Sequence, residues 1–253
     1  MKTTDFSEIL YRAVTLCGMD RTVIQDSTFR MVRDFSNQRI ADIWEQEAWP
    51  DICRISQQSV LTDVDNIRYV NIPAGFGDIL NVYRYNPRVT SRATNVRWYL
   101  DNDGTNDRVI VMDSVDPVFI EYRLPVINLF GEPFSGTANY SVGAQVYFDT
   151  GTNSGSYLPS STSASTGNFY TCLAATSQGE SPNTAAAKWS KVEIPYFTAD
   201  WLVRGVFSDY LRSESQFDSA ALAEQEAEAS KMMQVDRVLR SEGQVRRMQV
   251  FTY

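Results

Sequence analysis

The run DNDGTND gathers three carboxylates, Asp101, Asp103 and Asp107, within seven residues, the sort of spacing at which side-chain oxygens begin to surround a hard cation such as calcium. It lacks the terminal glutamate and the remaining ligand spacing of a calcium loop. With Gly104 inside it and the strand-like WYL and RVIVM on either side, the run predicts a hairpin turn. Elsewhere the catalytic toolkit is short. The chain has no histidine, which removes Ser/His and Cys/His nucleophile pairs and imidazole metal ligands. Cys17, Cys53 and Cys172 form no CxxC pair and have no metal-like spacing, so they read as reduced thiols. The expectation is a protein with no catalytic residues, no cofactor and no metal, hence not an enzyme.

Charge narrows the partners. The formal net charge is −8, from 23 Lys and Arg against 31 Asp and Glu. A groove that holds nucleic acid by its phosphates needs clustered cations, so tight DNA binding is not expected. A wall past which a polyanion must slide is compatible with this charge. The opening MKTTDFSEILYRAV is interrupted by Asp5, Glu8 and Arg12, so no signal peptide is expected there. No stretch approaches the length of a membrane span, and the expectation is synthesis in the cytoplasm with no membrane partner.

The elements that would position any site fall into two kinds. Phe6, Ile9, Leu10, Ala13, Val14 and Cys17 recur at helical spacing up to Gly18. A longer helix capped by Asp26 or Ser27 carries Phe29, Val32, Phe35, Ile40, Ile43 and Trp44 until Pro50 stops it. From Ile52 the pattern turns to strands, CRISQQSVL, NIRYVNIP, DILNVYRYN, NVRWYL, RVIVMD and PVFIEYRLPV, which predict a small antiparallel meander. Helical spacing resumes after Pro195 with Trp201, Val203, Val206, Phe207, Tyr210 and Leu211. A second, Ala/Glu-rich helix is expected over 220–239, with Leu222, Glu226, Ala229 and Met233 on one face. Its acidic run Glu224, Glu226, Glu228 is either a channel face or a solvated outer face. The final GQVRRMQVFTY is an apolar tail that needs a partner, its own domain or another chain.

Between Tyr140 and Val192 the composition shifts to Gly, Ser, Thr, Asn and isolated aromatics, and helical periodicity stops. The fold class expected is therefore α+β: a helical bundle with a small antiparallel β-meander, plus an inserted small all-β module. The domains expected are a core of residues 1–135 and 194–253, with its tail from about 243, and an insert of residues 136–193.

Two resemblances follow. The order of elements, carried by IADIWEQEAWPDICR, NVRWYLDNDGTNDRVIVMD and IPYFTADWLVRGVFSDYLRSESQFDSAALAEQEAEASKM, is similar to the head-to-tail adaptor (connector) proteins of tailed bacteriophages, over roughly residues 1–130 and 193–245. The resemblance implies a structural virion protein of the neck. It would form a ring, usually a dodecamer, seated between the portal protein and a tail or nozzle protein, continuing the channel for double-stranded DNA. It further implies that the C-terminal segment reaches the portal, which maps the docking residues to Val245, Arg246, Arg247, Met248, Val250, Phe251 and Tyr253.

The insert, with NYSVGAQVYF and GNFYTCLAATSQGESPNTAAAKWSKV, resembles the small β modules of chitin-binding and cellulose-binding type. That implies a compact aromatic frame, with Tyr147, Tyr170 and Trp189 as the glycan-contact candidates. The position that often carries exposed sugar-stacking aromatics reads Leu173, Ala174, Ala175 here, a departure from the pattern. As frame members the three aromatics serve a core instead, since a module this small needs its few aromatics inside. The alternative function is a carbohydrate-binding tail or baseplate protein whose insert recognises host-surface glycans or a fibre.

Overall fold

The computed structural model describes residues 2–20, 24–46, 49–73, 75–90, 94–102, 104, 107–149 and 167–241. It is a mixed helix-and-sheet protein with four α-helices and four small sheets among those residues. Contacts divide it into two compact units, one of Met1–Gln46 with Ile127–Tyr253 and one of Glu47–Val126.

In the first unit, α1 (Phe6–Leu16) buries Phe6, Ile9, Leu10, Ala13 and Val14, the stripe its sequence spacing predicts. α2 (Asp26–Gln46) buries Phe29, Val32, Ile40, Ile43 and Trp44. A strand β1 (Thr3–Thr4) precedes them. The second unit contributes β2 to β8 and is described below. The chain then returns to the first unit through β9 (Glu132–Pro133), β10 (Gln145–Phe148), β11 (Asn168–Cys172) and β12 (Trp189–Lys191), which form one sheet in the order β12-β11-β10-β9. The β9–β10 pair is parallel and the other two are antiparallel. β13 (Ile194–Pro195) pairs with β1, and α3 (Ala199–Ser213) and α4 (Phe217–Ser241) complete the chain.

The sheet and the helices of this unit share a core, and this is where the structure departs from the expected boundaries at 135/136 and 193/194. Phe6 of α1 and Phe29 of α2 pack edge-on to each other and to Tyr147 of β10, with centroids 5.6, 6.3 and 4.9 Å apart. Phe169 of β11 closes the group at 5.0 Å from Phe6. Large aromatics dominate burial energetics, so a segment whose composition reads as foreign still supplies half of the helices' aromatic core. On its other side the sheet has a second cluster of Phe134, Val146, Cys172 and Trp189.

The second unit holds β2 (Cys53–Gln58), β3 (Leu61–Thr62), β4 (Arg68–Asn71), β5 (Ile79–Tyr83), β6 (Trp98–Asn102), β7 (Asp107–Val111) and β8 (Val118–Arg123). The strands lie where the sequence places them, but they do not make one meander. They split into β2-β8-β5 and β3-β4-β7-β6. The reason is a single valine-rich core to which both sheets contribute, Val82, Val118 and Ile120 from one and Val70, Val109 and Val111 from the other. Two faces that each need covering cover each other. β2 and β8 run antiparallel with Cys53 opposite Arg123, which brings the unit's first and last strands side by side.

Candidate functional site: the α3–α4 hairpin

α3 starts from a single 3-10 turn at Tyr196–Thr198, where the Thr198 hydroxyl donates to the Pro195 carbonyl at 2.7 Å. The connection to α4 is short because Ser215 takes a left-handed φ of 61°. α4 then lies against α3 through Ala220, Ala223, Ala227 and Ser230, all buried. These four fall on one helical face, and their small side chains let the two backbones close up. The Ser208 hydroxyl of α3 donates to the Ala220 carbonyl at 2.9 Å across the seam.

Leu222 and Met233, grouped by sequence spacing with Glu226 and Ala229, do share a face, but it is the outward one. Leu222 is 64 % and Met233 67 % exposed, and Phe217 at the head of the helix is 68 % exposed. The physical reason is a competition of shape over size. α3 already presents Trp201, Leu202, Val203 and Val206 as buried bulk, so the partner that fits against it is smooth rather than large.

A guanidinium is locked into the hairpin from the side. Arg39 of α2 donates Nε and Nη2 to Asp209 of α3 at 2.8 and 2.7 Å. It also donates Nη1 and Nη2 to Glu224 of α4, both at 2.6 Å. It lies over the Trp201 ring at 5.5 Å. Gly205 makes the room, since a Cβ there would sit 3.0 Å from Arg39 Nε. Burial alone would lower the Arg39 pKa, but the bonds to Asp209 and Glu224 overcome it and hold the group above its ordinary value. In return the bond from Arg39 outweighs desolvation and lowers the Glu224 carboxyl below the usual range. Two bidentate pairs on one planar fork fix geometry as well as charge. α2, α3 and α4 are thereby pinned at one point.

The acidic run therefore does not present one face. Glu224 turns inward to Arg39, with Arg212 Nη2 at 3.4 Å as a second partner. Glu226 pairs with Arg204 of α3, and Glu228 pairs with Lys231 one turn on. The docking residues Val245, Arg246, Arg247, Met248, Val250, Phe251 and Tyr253 lie outside the described residues.

The glycan candidates are also separated. Tyr147 is 1 % exposed and belongs to the Phe6–Phe29–Phe169 group, where burial pushes its hydroxyl well above the ordinary value. Trp189 is buried against Phe134 and Tyr140, and its Nε1 donates to the Glu180 carbonyl at 3.1 Å. Of the three, Tyr170 alone is half-buried, 6.2 Å from Phe148. The aromatic frame is thus turned inward, as packing of a small module demands.

The three-carboxylate run is a hairpin turn. Asn102 pairs with Asp107 in the β6–β7 register, and Gly104 has a φ of 88°. Arg108 Nε donates to Asp101 at 2.7 Å, and Asn102 Nδ2 to Asp107 at 2.6 Å. Asp103 is outside the described residues. Among the described residues no group of three or more Cys, Asp or Glu side chains is placed to hold a metal ion, and no helix is long and apolar enough to cross a membrane. Cys17, Cys53 and Cys172 are free thiols, with burial pushing Cys17 up to about 11.

The Arg39 lock is the feature that sequence reading missed. Arg39 sits among exposed charges in α2 and gives no local signal. The small-residue seam was legible as the 220, 223, 227, 230 spacing, at helical intervals of three and four. No protein-family model matches the chain, and no curated protein shows significant similarity to it.

Proposed function

We propose that this chain is a structural virion protein, the subunit of a head-to-tail adaptor ring joining the portal to the tail and continuing the DNA channel. In this reading the finer architecture is a helical bundle that carries the two small antiparallel sheets of residues 53–123 and an inserted chitin/cellulose-binding-like module. The partners are other copies of the chain in a dodecameric ring, the portal protein, a tail or nozzle protein, and double-stranded DNA that passes without tight binding. The location is the virion neck.

The observation that carries the reading is the outer face of α4. A 25-residue helix held rigidly by Arg39 presents Phe217, Leu222, Met232 and Met233 to solvent. Large apolar side chains left exposed on one helix mark a protein–protein contact. The net charge of −8 suits a channel wall from which DNA slides. The ring stacks by its helices, and the tail 243–253 reaches the portal.

Two measurements test this. Negative-stain images of virions labelled with an antibody to this chain should show label at the neck. Label at the distal tail instead, with glycan capture by the intact chain, would replace the adaptor by a carbohydrate-binding tail protein. Deleting residues 244–253 should leave the helical signal unchanged and abolish attachment to DNA-filled heads in an assembly assay. Heads completed normally by the truncated chain would remove the docking role of the tail.

A further inference from the structure

In a chain of net charge −8, the stretch from Ile79 to Leu100 holds four arginines and no aspartate or glutamate. It forms a hairpin in the second unit. Beyond β5 the Arg84 amide donates to the Thr94 carbonyl at 2.9 Å, Tyr83 bridges to Asn95, and the Val96 amide donates to the Val82 carbonyl at 2.8 Å. Asn86 turns the tip: its side chain accepts from the Arg88 amide at 2.9 Å, and its carbonyl accepts from the Val89 and Thr90 amides, both at 3.1 Å. Arg84, Tyr85, Arg88 and Arg97 are all exposed, and Arg92 lies outside the described residues.

These arginines lack the partners that others in the chain have. Arg12, Arg39, Arg123 and Arg212 each sit on a carboxylate. Of Arg84, Arg88 and Arg97, only Arg97 is in an ion pair among the described residues, with Asp113 at 3.0 Å, and its side chain is still 75 % exposed. The Asp113 carboxyl is held below its ordinary value by the Arg97 amide and guanidinium, and Arg84 adds to this from further away. The Arg84 guanidinium lies 6.0 Å from the centroid of the Tyr85 ring. One carboxylate thus serves two of the arginines, and Arg88 has none among the described residues. Like charges crowded on one hairpin repel until a dense anion meets them.

We propose that Arg84, Arg88 and Arg97 contact the phosphates of duplex DNA, with the Tyr85 hydroxyl as a further donor. A guanidinium fork matches a phosphate, and a phosphodiester strand supplies a negative charge at every nucleotide, enough for each arginine. The acidic run of a second copy fits less well, because Glu224, Glu226 and Glu228 are already paired within their own subunit. The choice of DNA as the polyanion rests on the channel reading above. Three contacts on an otherwise acidic protein give a weak, salt-sensitive grip that still lets DNA slide.

Anisotropy of a labelled duplex of mixed sequence, titrated with the full chain, tests this. Neutralising three phosphates gives a slope of log affinity against log salt of about −2.7, a loss of about 40-fold between about 50 and 200 mM salt. Arg84→Gln and Arg88→Gln, at exposed positions, should leave circular dichroism unchanged, and each should make the slope shallower by about 0.9. Arg88→Lys should keep the slope. Arg237→Gln, which removes the same charge from α4, should leave it at the wild-type value. A wild type with no measurable binding at the lower salt overturns the contact. So does a double variant Arg84→Gln/Arg88→Gln that binds like the wild type, or an Arg237→Gln slope that falls as far as that of Arg88→Gln. Poly-glutamate bound as tightly as the duplex overturns DNA in favour of an acidic protein. The ring is tested apart from this: antibody label at the neck without DNA contact keeps the ring and strikes the hairpin, whereas DNA contact with label at the distal tail keeps the hairpin and sinks the ring.

Discussion

The two compact units bury their apolar surface by opposite means. The 47–126 unit is closed on itself: two sheets, one core of Val70, Val82, Val96, Val109, Val111, Val118 and Ile120, and first and last strands paired side by side. The other unit is assembled from both ends of the chain, and its aromatic core draws Phe6 and Phe29 from helices and Tyr147 and Phe169 from a sheet far along the sequence. A segment's independence is therefore set by whose core its large side chains enter, and its composition is a poor guide to that. The Gly/Ser/Thr-rich stretch looks detachable and is built in, whereas the ordinary-looking strands form the self-sufficient piece.

Excision gives the largest effect. Replacing residues 138–192 by a short Gly/Ser linker removes Tyr147 and Phe169 together, and the helices should lose cooperative melting at 222 nm. Replacing residues 47–126 by a similar linker should leave that melting intact, because the excised ends are adjacent. The opposite pair of results would restore an insert that is independent of the helices.

Single side chains come next. Phe169→Ala, at a site with no exposure, should cost about 3–5 kcal/mol, read in the helical transition and not in that of residues 47–126. Arg39→Met should cost about 3 kcal/mol by leaving the part-buried Asp209 and Glu224 with only the half-exposed Arg212 as a cation. Equal loss in both transitions for either variant would mean the two units melt as one.

Acid sharpens the comparison further. The folded-state pKa of Glu224 lies below its ordinary value of 4.5, chiefly through the bond from Arg39. Its contribution is therefore fully present above pH 4.5 and fades as pH falls through the folded value. Glu224→Gln should weaken the helical unit at neutral pH, and the gap from wild type should close in acid. A constant gap from neutral pH to pH 3 would show that Glu224 acts by shape and not by charge. Smallest of all, Met233→Ser on the outer face of α4 should change subunit stability by no more than about 0.5 kcal/mol, while still affecting any assembly that buries that face.

The sequence by itself determined the local structure. Period and punctuation located α1, α2, α3 and the strands, because apolar spacing of 3.6 or 2 residues and turn residues such as Gly18, Pro50 and Gly104 act within a few positions. The mixed fold and the hairpin at Asp101–Asp107 were legible on the same ground. The tertiary structure decided what depends on partners distant in the chain. Whether strands 53–123 form one meander or two facing sheets turned on which valines met. Which face of α4 is buried turned on the bulk already present on α3, and so small alanines went in and Leu222 and Met233 stayed out. Arg39 became a lock only when residues 170 and 185 positions away, Asp209 and Glu224, closed on it. Complementarity between remote surfaces is a property of pairs, and a linear pattern records only one member of each pair.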